Sequence, residues 1–498
     1  MNTNPSTALR TNVLYYGDNL DILRKREYFP DESIDLIYLD PPFNSNRSYN
    51  VLFRESTGAA SEAQIEAFED TWHWGPPAAR AYEDAQSGPH QKVARMLRAM
   101  VDGLGRNDVT AYLTMMAVRL VELHRVLKPT GSIYLHCDPT AGPYLRVLMD
   151  GVFGPRNFRN EVVWKYQKYQ KHDMTYFARN SDRVLWYVKD ANYSYTFHPQ
   201  FVELDKPKRF LKRTWDKATG RIINVKDAQG HVVYITVDKQ KVDDLWNIPY
   251  LMPAARERLG YPTQKPLTLL ERVVNASSNP GDIVLDPFCG CGTAVHAAHK
   301  LERQWIGIDI THLAIGLVRR RMQDAFPGIE IEVIGEPVDL AGARDLAQRD
   351  KYQFQWWALD RLGAQPVSGK KKGADLGIDG VIPFFAGPKE DYKRALVSVK
   401  GGEHVNVGMV RDLVGVLERE KEPIGVLLTL EPPTQPMVTE AASADFYHND
   451  FWQKEYPRVQ ILTVEDMLSG KRPDMPSTRS PFAQAPMERE ERRTKRML

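Results

Sequence analysis

Cysteine is scarce in this 498-residue chain: Cys137, Cys289 and Cys291 are the whole complement. Three is an odd number without zinc-ligand spacing, so neither a disulfide framework nor a structural zinc is expected, and the usage fits a reducing cytoplasm. No apolar run approaches the roughly 18 residues needed to span a bilayer, which excludes a membrane-spanning helix. Met1–Thr11 is polar and lacks the apolar core of a secretory signal. Charge of one sign is also missing: 66 Lys and Arg stand against 64 Asp and Glu. Overall charge therefore says nothing about nucleic acid, and any positive surface must come from local clustering. No internal repeat is present. What remains is the composition of a globular protein, 42% apolar and 26% charged. The chain is too long for one compact core, so two or three domains are expected.

The first concentration of chemistry is Ile34–Asn50, IDLIYLDPPFNSNRSYN. An apolar strand runs into Asp40-Pro41-Pro42-Phe43, bringing a carboxylate, a rigid carbonyl and an aromatic face together within four residues. These groups suit the exocyclic amine of a nucleobase, a poor nucleophile whose lone pair is delocalised into the ring. Asp40 and the Pro41 carbonyl can accept its two hydrogens and draw the nitrogen towards tetrahedral geometry. Proline fixes φ and adds no competing donor, and Phe43 offers a stacking face. Taken alone, these residues are explained better by an Asp-Pro turn closing a buried strand.

A second motif shifts the balance. Asp282–Thr293, DIVLDPFCGCGT, reads as a short buried strand followed by Asp286, Pro287, Phe288, Gly290, Gly292 and Thr293, then a helix over Ala294–Leu301. Glycines there let backbone pass close to a ligand and present amides at a helix start. Strand Gln304–Ile308 then ends in Asp309, at about the 20-residue spacing from which an acid reaches ribose hydroxyls. The loop departs from GxGxxG and holds no basic residue for phosphate, so a nucleoside ligand fits better than a dinucleotide.

The region alternates strands and helices, implying a parallel sheet covered on both faces. Strands are expected at Asn12–Tyr16, Ile34–Leu39, Ser132–His136 and Ile329–Ile334. The helix over Asp108–Leu127, with apolar residues at three- and four-residue steps, is stopped by Lys128–Gly131. Glu161–Lys165 and Arg183–Val188 are expected to close the sheet as an antiparallel pair. Ligands in such sheets bind beyond the carboxyl ends of strands, where Asp18, Asp40, His136, Asp286 and Asp309 fall. Asp18 either lines the adenine end of a cofactor site or caps the next helix. His136 either walls a base pocket or is a satisfied strand-end histidine, the simpler reading.

Two segments interrupt the alternation. Residues 55–107, with Trp72 and Trp74, are expected to form an irregular lobe. Residues 190–247 hold Lys206, Lys208, Arg209, Lys212 and Arg213 with Phe210 and Trp215 interleaved, and Asp216 as the only acid between Lys206 and Arg221. Basic residues among aromatics suit phosphate contact and base stacking; a solvated basic face is the alternative.

Together these motifs resemble the β-class DNA amino-methyltransferases, in which the DPPY/F motif precedes the cofactor loop. Tyr261-Pro262-Thr263-Gln264-Lys265-Pro266 is similar to the family's segment ahead of the cofactor strand, with Tyr261 where His is usual. The resemblance covers roughly residues 12–335. It implies a permuted Rossmann-like α/β fold in residues 1–335 and S-adenosylmethionine as cofactor. The cofactor would be held by Asp18, Lys265, Asp286, Pro287, Phe288, Gly290, Gly292, Thr293 and Asp309. Catalysis would rest on Asp40, Pro41, Pro42 and Phe43. Double-stranded DNA would be the substrate, gripped by Lys206, Lys208, Arg209, Lys212, Arg213 and Trp215 of a target-recognition region over 190–247. Asp ahead of Pro-Pro leans towards adenine N6, with cytosine N4 as the rival. No Cys follows a proline as in the nucleophile of the cytosine-C5 enzymes. A cognate restriction endonuclease is implied as partner; the oligomeric state, a homodimer among the options, stays open.

After Asp309 the pattern restarts, with Gly335-Glu336-Pro337 opening a connector. Helix 352–362, strands 378–385 and 395–400, helix 407–420 and strands 424–430 and 459–463 make a second α/β unit over 345–470. Gly373–Gly380 and Val397–Gly402 resemble the Mrr-type PD-(D/E)xK nucleases, with Asp379 and Lys400 in the family's positions. Ser398 stands where Glu or Gln is usual, and Gln355 takes the place of the upstream acid. The resemblance implies Mg²⁺ at Asp379, weakly held because Mg²⁺ favours carboxylate oxygens. A methyltransferase–nuclease fusion or a DNA-binding effector is therefore a second functional class. Residues 471–498 are Pro-, Ser- and charge-rich and are expected to be a disordered tail.

Overall fold

The computed structural model describes residues 9–42, 48–54, 60–69, 73–167, 175, 177–252, 255, 257–259, 261, 263–367, 377–387 and 392–478, with only the backbone course for 48–54 and 60–69. Phe43, Trp72 and the segment 373–376 lie outside the described residues.

The chain opens with β1 (Val13–Tyr16), α1 (Asn19–Leu23) and β2 (Ile34–Leu39), then a hairpin of β3 (Ser48–Arg54) and β4 (Ala60–Glu69). Three helices follow, α2 (Pro76–Ser87), α3 (Gln91–Leu104) and α4 (Asp108–Val126), then β5 (Leu127–Cys137) and α5 (Gly142–Val152). β6 (Phe158–Lys165) and β7 (Ser181–Val188) precede four exposed strands, β8 (Phe201–Leu211), β9 (Arg213–Asp216), β10 (Arg221–Asn224) and β11 (Tyr234–Lys241). β12 (Leu245–Asn247), α6 (Leu267–Ser277), β13 (Ile283–Asp286), α7 (Thr293–Lys300), β14 (Gln304–Asp309), α8 (His312–Ala325) and β15 (Glu332–Ile334) complete the first part.

Nine of these strands form one sheet in the order β12-β6-β7-β5-β2-β13-β14-β1-β15, and β7 alone runs against the rest. β2 shows how the sheet is buried on both faces. Ile34, Ile37 and Leu39 join the core under α4 and α5, while Leu36 and Tyr38 join the core under α6, α7 and α8. From Leu36 to Leu39 the two-residue alternation is the pleat, and the register shift between Ile34 and Leu36 puts Ile34 on the face of Ile37. β2 pairs with β13 across most of the domain's sequence, Leu36 opposite Val284 and Ile37 opposite Leu285. The parallel run β2-β13-β14-β1 therefore brings Asp40, Asp286, Asp309 and Asp18 to one rim.

Several local expectations need correction. β5 starts at Leu127, not Ser132, because Leu127 already pairs with Ile34 and Lys128–Gly131 are looped out before Ser132 pairs with Leu36. β6 and β7 do not close the sheet, since β12 adds a parallel strand beyond β6; the exposed strands of the 190–247 segment accordingly end before Leu245. Within the 55–107 lobe, residues 76–87 and 91–104 are helical and not irregular. Pro76-Pro77 start α2 rather than break the chain, proline being tolerated in a first helical turn. α3 buries Val93, Ala94, Leu97 and Val101 along one stripe.

The second part holds α9 (Leu340–Arg349), α10 (Lys351–Leu362), β16 (Gln365–Pro366), β17 (Gly380–Phe385), β18 (Tyr392–Lys400), α11 (Val407–Glu420) and β19 (Ile424–Thr429). α12 (Gln435–Ala442), the hairpin β20 (Phe446–Asn449) and β21 (Lys454–Pro457), β22 (Val459–Thr463) and α13 (Val464–Leu468) follow. The five-stranded sheet has the order β16-β17-β18-β19-β22. Helix α9 begins before residue 345, and Glu336 of the expected connector is buried. Residues 471–478 are not a free tail: Asp474 accepts Lys454 Nζ at 3.0 Å, and Thr478 bridges Phe384 of β17. Residues 479–498 lie outside the described residues. Among the described residues no helix is long and apolar enough to cross a membrane.

Candidate active site

A cavity of about 230 Å³ opens at the rim where β2, β13, β14 and β1 end. Asp18, Asp40, Asp286 and Asp309 all line it, together with Pro41, Pro42, Pro287, Phe288, Gly290 and Thr293. Motifs separated by more than 240 positions thus share one wall.

Two of the four carboxylates are neutralised. Asp18 caps α1 by accepting the Leu20 N–H at 2.7 Å, and it also accepts Arg119 Nη2 at 2.8–2.9 Å, so it is both a cap and a cavity residue. Arg119 is buried on α4, and its Nε donates to Asn19 Oδ1 at 2.7 Å. Asn19 Nδ2 in turn donates to the Pro287 carbonyl at 2.7 Å, tying the β1 loop to the β13 loop. Asp40 is paired with Lys265 Nζ, both side chains being largely buried. Lys265, expected on the cofactor, therefore holds the carboxylate proposed to act on the substrate amine, although it also lines the common cavity.

The other two stand in no ion pair among the described residues. Asp309 Oδ2 accepts the Gly290 N–H at 2.9 Å, and Oδ1 accepts the Thr311 N–H at 2.9 Å and hydroxyl at 3.0 Å. Burial still pushes the Asp309 carboxyl up to about 6, against the pull of those hydrogen bonds. Asp286 accepts the Phe288 N–H at 3.1 Å, and burial, with Asp40 and Asp309 nearby, pushes it well above the usual carboxylate range. Carboxylates with raised pKa and no basic partner suit a ligand bearing hydroxyls and positive charge. The donor set therefore fits S-adenosylmethionine. Among the described residues no cluster of His, Cys, Asp and Glu could hold a metal.

The glycines divide in use. Gly290, at φ +48°, lines the cavity, and a Cβ there would meet the Tyr261 ring at 3.1 Å. Gly292, expected on the cofactor, does not line it. At φ +73° a Cβ would lie 2.8 Å from the Val318 methyl carbon, so this glycine lets α7 pack on α8. Cys289 and Cys291 line the cavity, but burial raises both thiols, which suits packing and not nucleophilic attack.

His136 is a satisfied core residue. The Tyr38 hydroxyl is hydrogen-bonded to Nδ1 at 2.9 Å, and Nε2 faces Asp182 at 3.3 Å, which also accepts the Tyr166 hydroxyl at 3.0 Å. Burial pushes Asp182 up, but His136, Lys265 and Tyr166 outweigh it and hold the carboxyl low. Arg119, Asn19, Tyr38 and Thr311 were not anticipated as site residues. Only a cation among the apolar repeats of α4 hinted at Arg119.

The expected DNA-contacting residues fall outside the nine-stranded sheet. β8 pairs with β11, and β9 with β10, as two-stranded ribbons. Lys212 is exposed between β8 and β9, and Lys206, Lys208, Arg209 and Arg213 are exposed on the ribbons. So are Phe210, Trp215, Ile222 and Ile223, with Trp215 61% exposed; Arg209 lies 4.1 Å from the Tyr234 ring centre.

Residues 34–318, more than half of the chain, match the N6_N4_Mtase family, described as DNA methylase. The chain belongs to this DNA methylase family. It is 28% identical over 261 residues to the type II methyltransferase M.EcaI of Enterobacter cloacae, covering 42% of this chain and 57% of that one. It is 26% identical over 314 residues to the DNA adenine methyltransferase YhdJ of Escherichia coli K12, covering 63% and 83%. It thus spans under two thirds of the first relative and more of the second. Among solved structures, the PvuII DNA methyltransferase (cytosine-N4-specific) aligns at 15% identity and a TM-score of 0.37, over 65% of this chain and 89% of that one.

The match ends before the second sheet, where a smaller polar centre lies. Asp379 accepts Gln355 Nε2 at 2.8 Å, the Ser398 hydroxyl at 3.3 Å and the Val399 N–H at 2.6 Å. Lys400 ends β18, two residues beyond buried Ser398.

Proposed function

We propose that this protein methylates the exocyclic amine of a base in double-stranded DNA, at adenine N6, with S-adenosylmethionine as donor. The observation that carries the reading is the convergence of Asp40–Pro42 with Asp286–Cys291, Thr293, Asp18 and Asp309 on one cavity. When bound, the donor supplies a methyl group on a positively charged sulfur. Asp286, Phe288, Gly290, Thr293 and Asp309 would hold it, with Pro287 fixed through Asn19. Asp40 and the Pro41 carbonyl accept the hydrogens of the target amine, and Phe43 stacks on the flipped base. Lys265 fixes the Asp40 carboxylate from behind. The chain's contribution is positioning a weak nucleophile with water excluded.

Adenine is favoured by Asp in front of Pro-Pro and by the name of the Escherichia coli relative. Nucleoside mass spectrometry of plasmid methylated by the protein tests it. N6-methyladenine is the expected product; N4-methylcytosine alone would sink the adenine assignment. The type II name of the Enterobacter relative supports a restriction–modification setting with a cognate endonuclease. The ribbons β8–β11 would grip the duplex through Lys206, Lys208, Arg209, Lys212 and Arg213, with Trp215 available for stacking.

A second reading concerns the C-terminal sheet, which we assign as a nuclease-like DNA-holding unit with a depleted centre. Gln355, Ser398 and the Val399 amide all donate to Asp379, so neutral groups occupy places where a metal site needs acids. Plasmid nicking with Mg²⁺ or Mn²⁺ should be weak or absent in the wild type. Robust cleavage abolished by Asp379→Ala would establish a nuclease fusion instead.

A further inference from the structure

α10 stands between the two polar centres. Gln353 Oε1 accepts the backbone N–H of His312 at 3.0 Å. That amide belongs to the first turn of α8, which the helix itself leaves without a partner. The residues just ahead of it, Asp309, Ile310 and Thr311, line the cavity. One turn along α10, Trp356 packs against the small core cluster of Leu259, Tyr261, Cys291, Leu313 and Leu317. Of these, Tyr261 and Cys291 are cavity wall, and Tyr261 backs Gly290. A turn further, Asp360 accepts Arg319 at 2.6 Å and Arg320 at 3.1 Å. It lies so close to α8 that a Cβ on Gly316 would stand 2.5 Å from its Oδ1. Gln353, Trp356 and Asp360 share one helical face by spacing. Gln355, off that face, donates to Asp379 at 2.8 Å.

We infer that Gln353 and Trp356 of α10 are positioning residues for the cofactor cavity, so that its occupancy and the order of α10 are coupled. The inference rests on the S-adenosylmethionine reading above and reaches past the family match, which ends at residue 318. The physical route is short. With the His312 amide pinned, the Asp309–Thr311 turn is held in place before a ligand arrives, and binding needs less ordering. Removing the acceptor frees that turn and makes the ligand order it. Coupling of this kind is reciprocal, so a ligand that gains from α10 must also stabilise α10.

The test uses the full chain as wild type, Gln353→Met, Trp356→Ala and Trp356→Phe. Calorimetry gives the Kd for S-adenosylmethionine, steady-state kinetics give kcat and the KM for DNA, and hydrogen exchange is followed with and without S-adenosylmethionine. Gln353→Met and Trp356→Ala should each weaken S-adenosylmethionine binding about fivefold, the scale of one lost hydrogen bond or contact. Trp356→Phe should recover most of the loss, and kcat at saturating donor should stay within about twofold. In the wild type, S-adenosylmethionine should slow exchange across α10 and leave α11 unchanged. Wild-type affinity in all three variants, with no change in α10 exchange, would overturn the inference. Where Trp356→Ala does not fold, the wild-type exchange result decides alone. A wild-type chain that binds no S-adenosylmethionine would overturn the methyltransferase reading, and this inference with it.

Discussion

Asp40 and Asp309 make different demands on the same cavity, and each carries a prediction. Asp40→Ala should lower methyl transfer at least about a hundredfold while leaving S-adenosylmethionine affinity nearly intact, because the loss falls on the amine and not on the donor. Radiolabel transfer and calorimetry read the two effects separately; wild-type turnover would refute the site. Lys265→Met removes the partner of a largely buried carboxylate, a change typically destabilising by about 3–5 kcal/mol. The double variant Asp40→Asn/Lys265→Met should melt above the single Lys265→Met, and a lower Tm in the double would contradict a direct pair. Asp309 predicts a pH dependence. Its carboxyl is raised to about 6 in the folded chain, so below that pH it is protonated. A ligand that bonds the carboxylate must then release that proton. Affinity for S-adenosylmethionine should rise as pH increases through about 6 and level off above it. A flat profile from pH 5 to 8 would remove Asp309 from the contact.

At the scale of elements, the ribbons β8–β11 test the DNA reading. They expose aromatic and basic side chains together, and a pair of strands without a core beneath needs another reason to keep Phe210, Trp215 and Ile222 in solvent. Lys212→Ala/Arg213→Ala should weaken DNA binding and flatten its salt dependence, the slope falling by roughly 0.9 for each lost phosphate contact. An unchanged slope would mean both charges face solvent only. Elements also show what could be read in advance. β2, β13 and β14 were legible because short apolar runs end in acids, and α4 because its apolar residues recur at helical steps. α2 was missed because Pro76-Pro77 signals a turn and a helix start alike. Gly292 shows the limit of spacing, which cannot distinguish room for a cofactor from room for Val318. The Arg119–Asp18 and Lys265–Asp40 pairings were invisible for a deeper reason. Charge partners 101 and 225 residues apart are set by which strands become neighbours, and local pattern does not encode that.

For the molecule as a whole, the motifs alone suggest that residues 1–335 suffice for cofactor binding, since every one of them lies before Gly335. The packing argues otherwise. Arg319 and Arg320 are largely buried against Asp360 and Glu336, and His312 stacks on Tyr16 at 3.6 Å beside Glu336. Cutting after Gly335 removes both acids, uncovers Leu313 and Leu317, and takes away the acceptor for the His312 amide. Buried charges left without partners are among the larger single losses a fold can suffer. A chain ending at Gly335 should therefore melt on the order of 10 °C below one ending at Thr478, which keeps α10 and drops only 479–498. Its affinity for S-adenosylmethionine should fall by more than the single α10 variants lose. Scanning fluorimetry and calorimetry on the two truncations read both quantities. Equal Tm and equal affinity would mean that α8 holds the cofactor wall without α10, and that the buried Arg–Asp pairs only join one unit to the next.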